Sequence, residues 1–475
     1  MYWSKYNTLF HSKRFGYFLY NALSNALLEI GKPHYQCLEQ LQHNPQLSNP
    51  HLDDQFLILL REVKILVKEG EEKKLLMARQ YRRNTLSFDN THLILSICPT
   101  LCCNFRCAYC FEHTQQSTSV MNHETVDRLI SFIRRFKQAR YLSISWYGGE
   151  PTIAFDVIRD ITQRVKELDI TFEDAGLVTN GYLLRADKVS QLNDLNIKTI
   201  QITLDGPKDV HDARRVLASG RPTYQRILDN IDTLMNSAYE GSCNIRVNVD
   251  KNNLSGFFDL RTHLLERFRG KNLSVYAGHV DTATDHNYDK NCNLCAKEWT
   301  DFTIEQYRHN GVAPGEGVYP SGSLFNICSA NTRNSFVIGP EGELYKCWED
   351  VGKHDMVIGS IFEEDPVTNL ELVTLYSVGT DPYLDSECRE CSTLPICGGG
   401  CANRRLRARH FHEKDLEFCS LYKDNLVTYL EEYYDVFRTK EICSDVLNPG
   451  RKAKDGKGYR MIHPCEKTRT VSRLV

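Results

Sequence analysis

The 475-residue chain has no apolar run approaching the roughly 20 residues of a membrane-spanning helix. That argues against a helical membrane protein. It also lacks an excess of positive charge. Its 58 Lys and Arg face 61 Asp and Glu, a formal net charge of −3, where a bulk nucleic-acid binder is usually basic. The opening residues, MYWSKYNTLFHSKR, do not have the charged-then-apolar layout of a secretory signal. No solenoid-type repeat and no low-complexity tract is present. The remainder is globular in composition, with 41% hydrophobic and 25% charged residues. At roughly 100–200 residues per domain, two to four domains are expected, in a cytoplasmic protein.

Cysteine is what the chain has in quantity: 18 residues. A large cytosolic protein does not hold that many as structural disulfides, so clustering points to metal or catalysis. The grouping is positional, because between 111 and 291 only Cys243 occurs.

Residues 1–90 read as a small unit. YNTLFHSKRFGYFLYN (6–21) has aromatics around turn residues and predicts a hairpin. DDQFLILLREVKILVKEG (53–70) has apolar residues at helical spacing. Residues 91–285 alternate strand and helix patterns, with strands predicted at 91–97, 141–146, 176–179, 198–204, 244–249 and 273–278. Val126, Leu129, Ile130 and Ile133 form one helical stripe; Ile227, Ile231, Leu234 and Met235 form another. Repeated βα units imply parallel strands with helices outside, and six units favour an open, partial (βα)6 barrel. Ligands then belong at the carboxyl ends of the strands. Residues 286–325 read as a bridging region. From 286 to 420 short segments, Gly-rich turns and nine cysteines predict a unit held by metal more than by an apolar core. DNLVTYLEEYYDVFR (424–438) predicts a closing helix, and 439–475 a basic, solvated tail.

CNFRCAYC follows the first predicted barrel strand. Its C-x3-C-x2-C spacing lets Cys103, Cys107 and Cys110 converge on one face of an iron–sulfur cubane, leaving one iron open. A structural zinc site would want four protein ligands, and a redox pair needs only two thiols. Cys98 and Cys102 break the spacing and read as bystanders. The second strand ends in WYGGEPT, where Gly148 and Gly149 admit close backbone approach and Glu150 offers a negative partner for an ammonium. An ordinary strand-to-helix turn explains these three equally well when they are taken alone.

Together these motifs resemble those of the radical S-adenosylmethionine (SAM) enzymes, over roughly 91–280. Cys103, Cys107 and Cys110, with the aromatic Tyr109, match the cluster motif. Gly148, Gly149, Glu150 and Pro151 match the GGEP motif that meets the methionine amino group. The resemblance implies reductive cleavage of SAM and a 5′-deoxyadenosyl radical that takes a hydrogen from substrate; the hard chemistry is the cofactor's. It also maps a ribose contact to Thr203 and the SAM carboxylate to Arg215, with adjacent Arg214 as the competitor; a guanidinium suits a carboxylate bidentately. Thr179, Asn180 and Gly181, and likewise Arg246, Asn248 and Asp250, are expected at the same pocket.

Cys328, Cys347, Cys388, Cys391, Cys397, Cys401 and Cys419 match the seven-cysteine pattern of the SPASM domain, a radical SAM extension carrying two auxiliary clusters, here placed at 326–438. The resemblance implies three [4Fe-4S] clusters in all. Cys388, Cys391, Cys397 and Cys419 would hold the outer auxiliary cluster, and Cys328, Cys347 and Cys401 the inner one. Its fourth position falls to Cys292, to Cys295, to substrate or to nothing. One or two zinc sites is the competing reading.

SPASM enzymes mostly modify ribosomal peptides and proteins. In sulfatase maturases a catalytic carboxylate follows the cysteine of the G-x4-C element. That place is Trp348 here, with Glu349 and Asp350 as substitutes or as plain turn residues. Natural-product maturases often carry an N-terminal winged-helix-like domain that grips a leader peptide, which 1–90 resembles in layout. The expected function is a peptide maturase that installs a thioether or carbon–carbon cyclophane cross-link in a precursor peptide with an N-terminal leader. A ferredoxin or flavodoxin would supply electrons. Formylglycine formation, epimerisation, and a non-enzymatic iron–sulfur or zinc-stapled binding protein are the alternatives.

Overall fold

The structure is a computed structural model. It describes residues 1–43, 52–112, 117–280, 289–310, 318–322, 325, 327–414, 416–447 and 458–463. Six strands form its centre: β1 (His92–Ile97), β2 (Tyr141–Trp146), β3 (Thr171–Thr179), β4 (Ile197–Thr203), β5 (Ser242–Val249) and β6 (Leu273–His279). Each pairs in parallel with the next. Both predicted stripes are buried, on helices His123–Ile133 and Tyr224–Met235. The first of these helices starts where Asn122 Oδ1 accepts the Thr125 N–H at 2.9 Å, one of the N-terminal amides that a helix cannot satisfy itself.

The sheet does not stop at β1. Strand β7 (Ser335–Ile338) pairs in parallel with β1, and β8 (Glu343–Tyr345) and β9 (Gly359–Ser360) follow antiparallel, giving nine strands in the linear order β6-β5-β4-β3-β2-β1-β7-β8-β9. The expectation that 286–420 has little apolar core is corrected here. Val337, Ile338, Leu344, Met356, Ile358, Leu372 and Leu406 join the same buried cluster as Leu95 and Ile97. Covering the β1 edge satisfies its backbone donors and acceptors, which an open edge leaves unpaired.

At the N-terminus the predicted hairpin is present as Asn7–Ser12 with Gly16–Asn21, and a third strand, Ala26–Ile30, continues the meander. Helices Lys32–His43 and Asp54–Glu62 supply Leu38, Leu41, Phe56 and Leu60 to a core with Leu19, Leu28 and Ile30. The helical stretch expected over 53–70 ends at Glu62, because Lys64 turns the chain at φ 62° and Leu66–Val67 pair with Tyr2–Trp3.

The closing helix runs Tyr422–Leu447, and Tyr459–His463 forms a strand on Ala26–Ile30. Both stretches were expected in part within a solvated tail. Alternation explains the strand: Tyr459 and Met461 pack against one apolar cluster and Ile462 joins the other. Residues 464–475, with Cys465, lie outside the described residues. Among the described residues no helix is long and apolar enough to cross a membrane.

Candidate active site

The strand register brings Ile97, Trp146, Thr179, Thr203, Asn248 and His279 to one rim of the sheet, since Ile97 pairs with Trp146, Thr179 with Ile202, Thr203 with Arg246 and Asn248 with Gly278. A cavity of about 380 Å³ opens there. Its wall includes Cys103, Cys107, Tyr109, Cys110, Gly148, Gly149, Glu150, Asn180, Thr203, Arg215 and Asn248. Nearly the whole set of expected barrel-site residues thus meets at one place. Pro151 does not line the cavity; it is buried and starts a short 3-10 helix. Gly181 and Asp250 are also outside the wall, whereas Thr179 and Arg246 are in it.

The three cysteines sit in a loop whose segment Phe105–Cys107 pairs antiparallel with Arg215–Leu217, so that Cys107 lies opposite Arg215. The backbone that carries the guanidinium is therefore hydrogen-bonded to the cluster loop. Burial, above all, pushes the Cys103 and Cys110 thiols up to about 12 each, with neighbouring thiols adding to the shift. Burial raises Cys107 too, opposed by Arg215. Thiolates so placed need cationic charge beside them. Among the described residues no three His, Cys, Asp or Glu converge on a single-ion site.

Gly148 and Gly149 form a tight cradle. A Cβ on Gly149 would lie 2.5 Å from the carbonyl oxygens of Leu101 and Cys102, and one on Gly148 would lie 2.5 Å from that of Thr100. Gly148 also sits at φ 112°. These contacts seat the GGEP turn directly on the cluster loop. Glu150 is buried, accepts from Thr179 Oγ1 and the Asn180 N–H at 2.7 Å each, and also from Thr152. Burial nevertheless raises its pKa, so an ammonium in the cavity would stabilise the carboxylate.

Arg215 lines the cavity and Arg214 does not. Arg214 is committed elsewhere, to Asp250 at 2.7 Å and Asp205 at 3.4 Å. Arg215 Nη1 donates to Tyr109 Oη at 2.8 Å, while its buried Nε has no hydrogen-bond partner among the described residues. An unused guanidinium donor beside Cys107 suits the carboxylate of SAM. Tyr109 Oη also accepts from Asn248 Nδ2 at 3.1 Å and donates to Asp205. Cys98 and Cys102 are outside the cavity wall, in keeping with the spacing argument.

The C-terminal region closes the cavity with Trp348, Glu349 and Arg404. Trp348 stacks on Tyr147, ring centroids 5.5 Å apart. Of the two candidate carboxylates, Glu349 faces the cavity. Asp350 does not: it is fully buried against Asn403, at 2.9 Å, and Tyr376. Burial pushes Asp350 up to about 6. Sequence reasoning missed Glu112, Tyr147, Gln201, His279 and Arg404. Glu112 carried the clearest signal, an acid two residues beyond Cys110. It is 7% exposed, its Oε1 has no hydrogen-bond partner among the described residues, and burial pushes it up to about 7.

In the C-terminal region Cys347 is a near neighbour of Cys401, and Cys397 of Cys388 and Cys419. Burial pushes the Cys347 thiol well up, and Asp350, Glu349 and Cys401 add to it. Cys328 lies beside Lys346, which is bonded to the Thr332 and Ser335 carbonyls at 2.6 Å each. Cys397 neighbours both Cys388 and Cys419, and Lys423 neighbours Cys419 and Cys391. Arg405 Nη2 donates to Cys388 Sγ at 3.1 Å. Cys292 and Cys295 precede helix Ala296–Asn310; the Cys292 carbonyl accepts the Lys251 N–H at 2.9 Å.

Residues 97–264 match the family model of the Radical SAM superfamily. The chain carries a radical SAM domain and is an enzyme, with SAM and a [4Fe-4S] cluster as the cofactors of that domain. The cysteine-type anaerobic sulfatase-maturating enzyme of Clostridium perfringens is 23% identical over 359 residues, covering 68% of this chain and 92% of that protein. The serine-type enzyme of Klebsiella aerogenes is 25% identical over 326 residues, covering 63% and 76%. The solved structure of native anSMEcpe with bound AdoMet and Cp18Cys peptide superposes with a TM-score of 0.54 at 20% identity, over 74% of this chain and 98% of that one. That likeness is one of fold.

Proposed function

We propose that the chain is a peptide maturase that uses radical SAM chemistry to install a cross-link, thioether or carbon–carbon, in a precursor peptide gripped through its leader by residues 1–90. One observation carries the reading: the SAM-motif residues and the C-terminal Trp348, Glu349 and Arg404 line a single cavity. A substrate residue held by the C-terminal region would meet the cofactor there. When bound, cluster and SAM supply a 5′-deoxyadenosyl radical able to take a hydrogen from an unactivated carbon. Cys103, Cys107 and Cys110 hold three irons, Arg215 and Glu150 orient the methionine carboxylate and ammonium, and Gly148 and Gly149 let the ligand approach the backbone. The stacked Tyr147 and Trp348 wall that end of the cavity. The seven C-terminal cysteines are assigned to two auxiliary clusters that carry away the second electron. An N-terminal unit of strands followed by helices supports the leader assignment.

A second reading is formylglycine formation. The curated relatives above are sulfatase-maturating enzymes, and Glu349 faces the cavity two positions after Cys347, in place to take a proton from a substrate Cys or Ser.

The test is anaerobic reconstitution with SAM and dithionite. It measures 5′-deoxyadenosine and then the mass of candidate peptides: a precursor encoded beside the gene, and a sulfatase-type Cys peptide. Loss of two hydrogens with sulfur retained supports the cross-link. Loss of the cysteine sulfur with an aldehyde formed supports the second reading. Absence of deoxyadenosine overturns both.

A further inference from the structure

A second cavity, of about 610 Å³, opens at the opposite end of the central sheet. Asn90, Ala139 and Asn334 line it. They lie just ahead of β1, β2 and β7, at the amino ends of these strands, whereas the SAM-motif cavity lies past the carboxyl ends. The two cavities share no wall residue. The loops that frame the second one are tied together: Asn334 Nδ2 donates to the Asn90 carbonyl at 3.1 Å, and Asn90 Nδ2 donates to Gln138 Oε1.

The floor is apolar. Phe132 and Phe336, both buried, meet edge to face with centroids 5.3 Å apart, and Phe136 lies 5.6 Å from Phe336. At the mouth Leu370 is 67% exposed. The charged groups of the wall are of one sign: Arg135, Lys137, Arg333 and Lys346 line the cavity, and no Asp or Glu does. Arg135 Nη1 donates to the Glu364 carbonyl at 2.7 Å, not to a carboxylate. Lys346 is 1% exposed, with two of its three N–H groups on the Thr332 and Ser335 carbonyls and the Cys328 thiol nearby. Arg333 and Lys137 are exposed, and among the described residues neither pairs with an acid. Cations sharing one wall repel each other and favour an anion between them, and a guanidinium holds a carboxylate bidentately.

We infer that this cavity is a binding site for a small amphipathic carboxylate, with its apolar body on Phe132, Phe136 and Phe336 and its head at Arg333 and Lys137. The volume is that of small-molecule sites, roughly 300–1,000 Å³. An extended peptide has no edge to pair with here, since β1, β2 and β7 are each paired on both sides. The cavity would take such a ligand whichever reaction runs at the opposite rim.

The full chain, with its clusters reconstituted and with neither SAM nor reductant present, is titrated by calorimetry with hydrocinnamate, octanoate, hydrocinnamide and acetate. Hydrocinnamate or octanoate should bind, and the neutral amide and acetate should each bind at least about tenfold more weakly than the tighter of the two. Arg333→Glu and Lys137→Glu, exposed positions on different elements, should each weaken that carboxylate at least about tenfold. Deoxyadenosine formation from SAM should be unchanged in both variants. The proposal is overturned if neither carboxylate binds at about 1 mM. It is also overturned if the amide or acetate binds as tightly, or if the affinity is unchanged in both variants. Missing deoxyadenosine in the parent chain would instead remove the proposed chemistry and leave this site standing.

Discussion

Tyr109 shows how one hydroxyl ties the site together. It accepts from Arg215 and Asn248 and donates to buried Asp205. Tyr109→Phe keeps the ring but removes these bonds. SAM affinity should fall about tenfold, roughly one to two hydrogen bonds' worth, with iron content unchanged; equilibrium binding and iron analysis measure the two separately. His211 makes a pH prediction. It is fully buried, accepts the Asp205 N–H on Nδ1 at 3.2 Å, and pairs through Nε2 with Thr223 at 3.0 Å. Burial first, then the charge of Arg215, pushes it down to about 4. The unfolded chain, with an ordinary histidine near 6.5, then binds more protons below that value. Stability from the neutral ring is present above about pH 6.5 and lost as pH falls toward 4. Between about pH 7 and about pH 5 the loss should be about 2 kcal/mol. Denaturant midpoints at both values, for the chain and for His211→Gln, measure it, and the variant should lack this component.

At the level of elements, the site depends on how tightly two loops stack. The turn after β2 sits on the loop after β1 with no room for a methyl group at Gly149. Gly149→Ala must push the Leu101–Cys102 carbonyls away. We expect SAM affinity to drop more than about tenfold, at least ~1.4 kcal/mol, with far-ultraviolet circular dichroism unchanged. Binding as tight as in the parent would mean that the cradle is not needed. The short ladder between Phe105–Cys107 and Arg215–Leu217 was illegible in the sequence, because its halves lie more than a hundred residues apart and neither has a strand-length apolar pattern. That ladder separates Arg215 from Arg214, a choice that adjacency in sequence leaves open.

At the scale of the whole molecule, the C-terminal region extends the barrel's own sheet and shares its core. It therefore brings Trp348, Glu349 and Arg404 to the cavity as rigid neighbours of β1. If the seven C-terminal cysteines hold two cubanes, reconstituted protein should contain about twelve irons, and Cys347→Ala with Cys401→Ala, or Cys388→Ala with Cys397→Ala, should each remove about four. Deoxyadenosine formation in the absence of peptide should persist in both double variants. Iron counts near four in the parent chain would mean that these thiols carry no auxiliary clusters.

The sequence by itself determined the six parallel strands, the two apolar helix stripes and the rim positions of the cluster and GGEP motifs. Each of these is local: period, spacing, and the rule that a parallel sheet gathers its loops at the carboxyl ends. Tertiary structure decided the rest. Glu349 enters the cavity while Asp350 is taken up by Tyr376 and Asn403. Arg215 is free to meet a ligand because Arg214 is held by two buried carboxylates. Glu112 joins the cavity wall only because the fold buries it there, with its Oε1 unpartnered among the described residues. The strand at 459–463 exists only because an unpaired edge, built 430 residues earlier, lies beside it. Period and spacing report what one segment prefers. Which partner satisfies a buried charge or an open edge depends on segments distant in the chain, and packing alone brings those together.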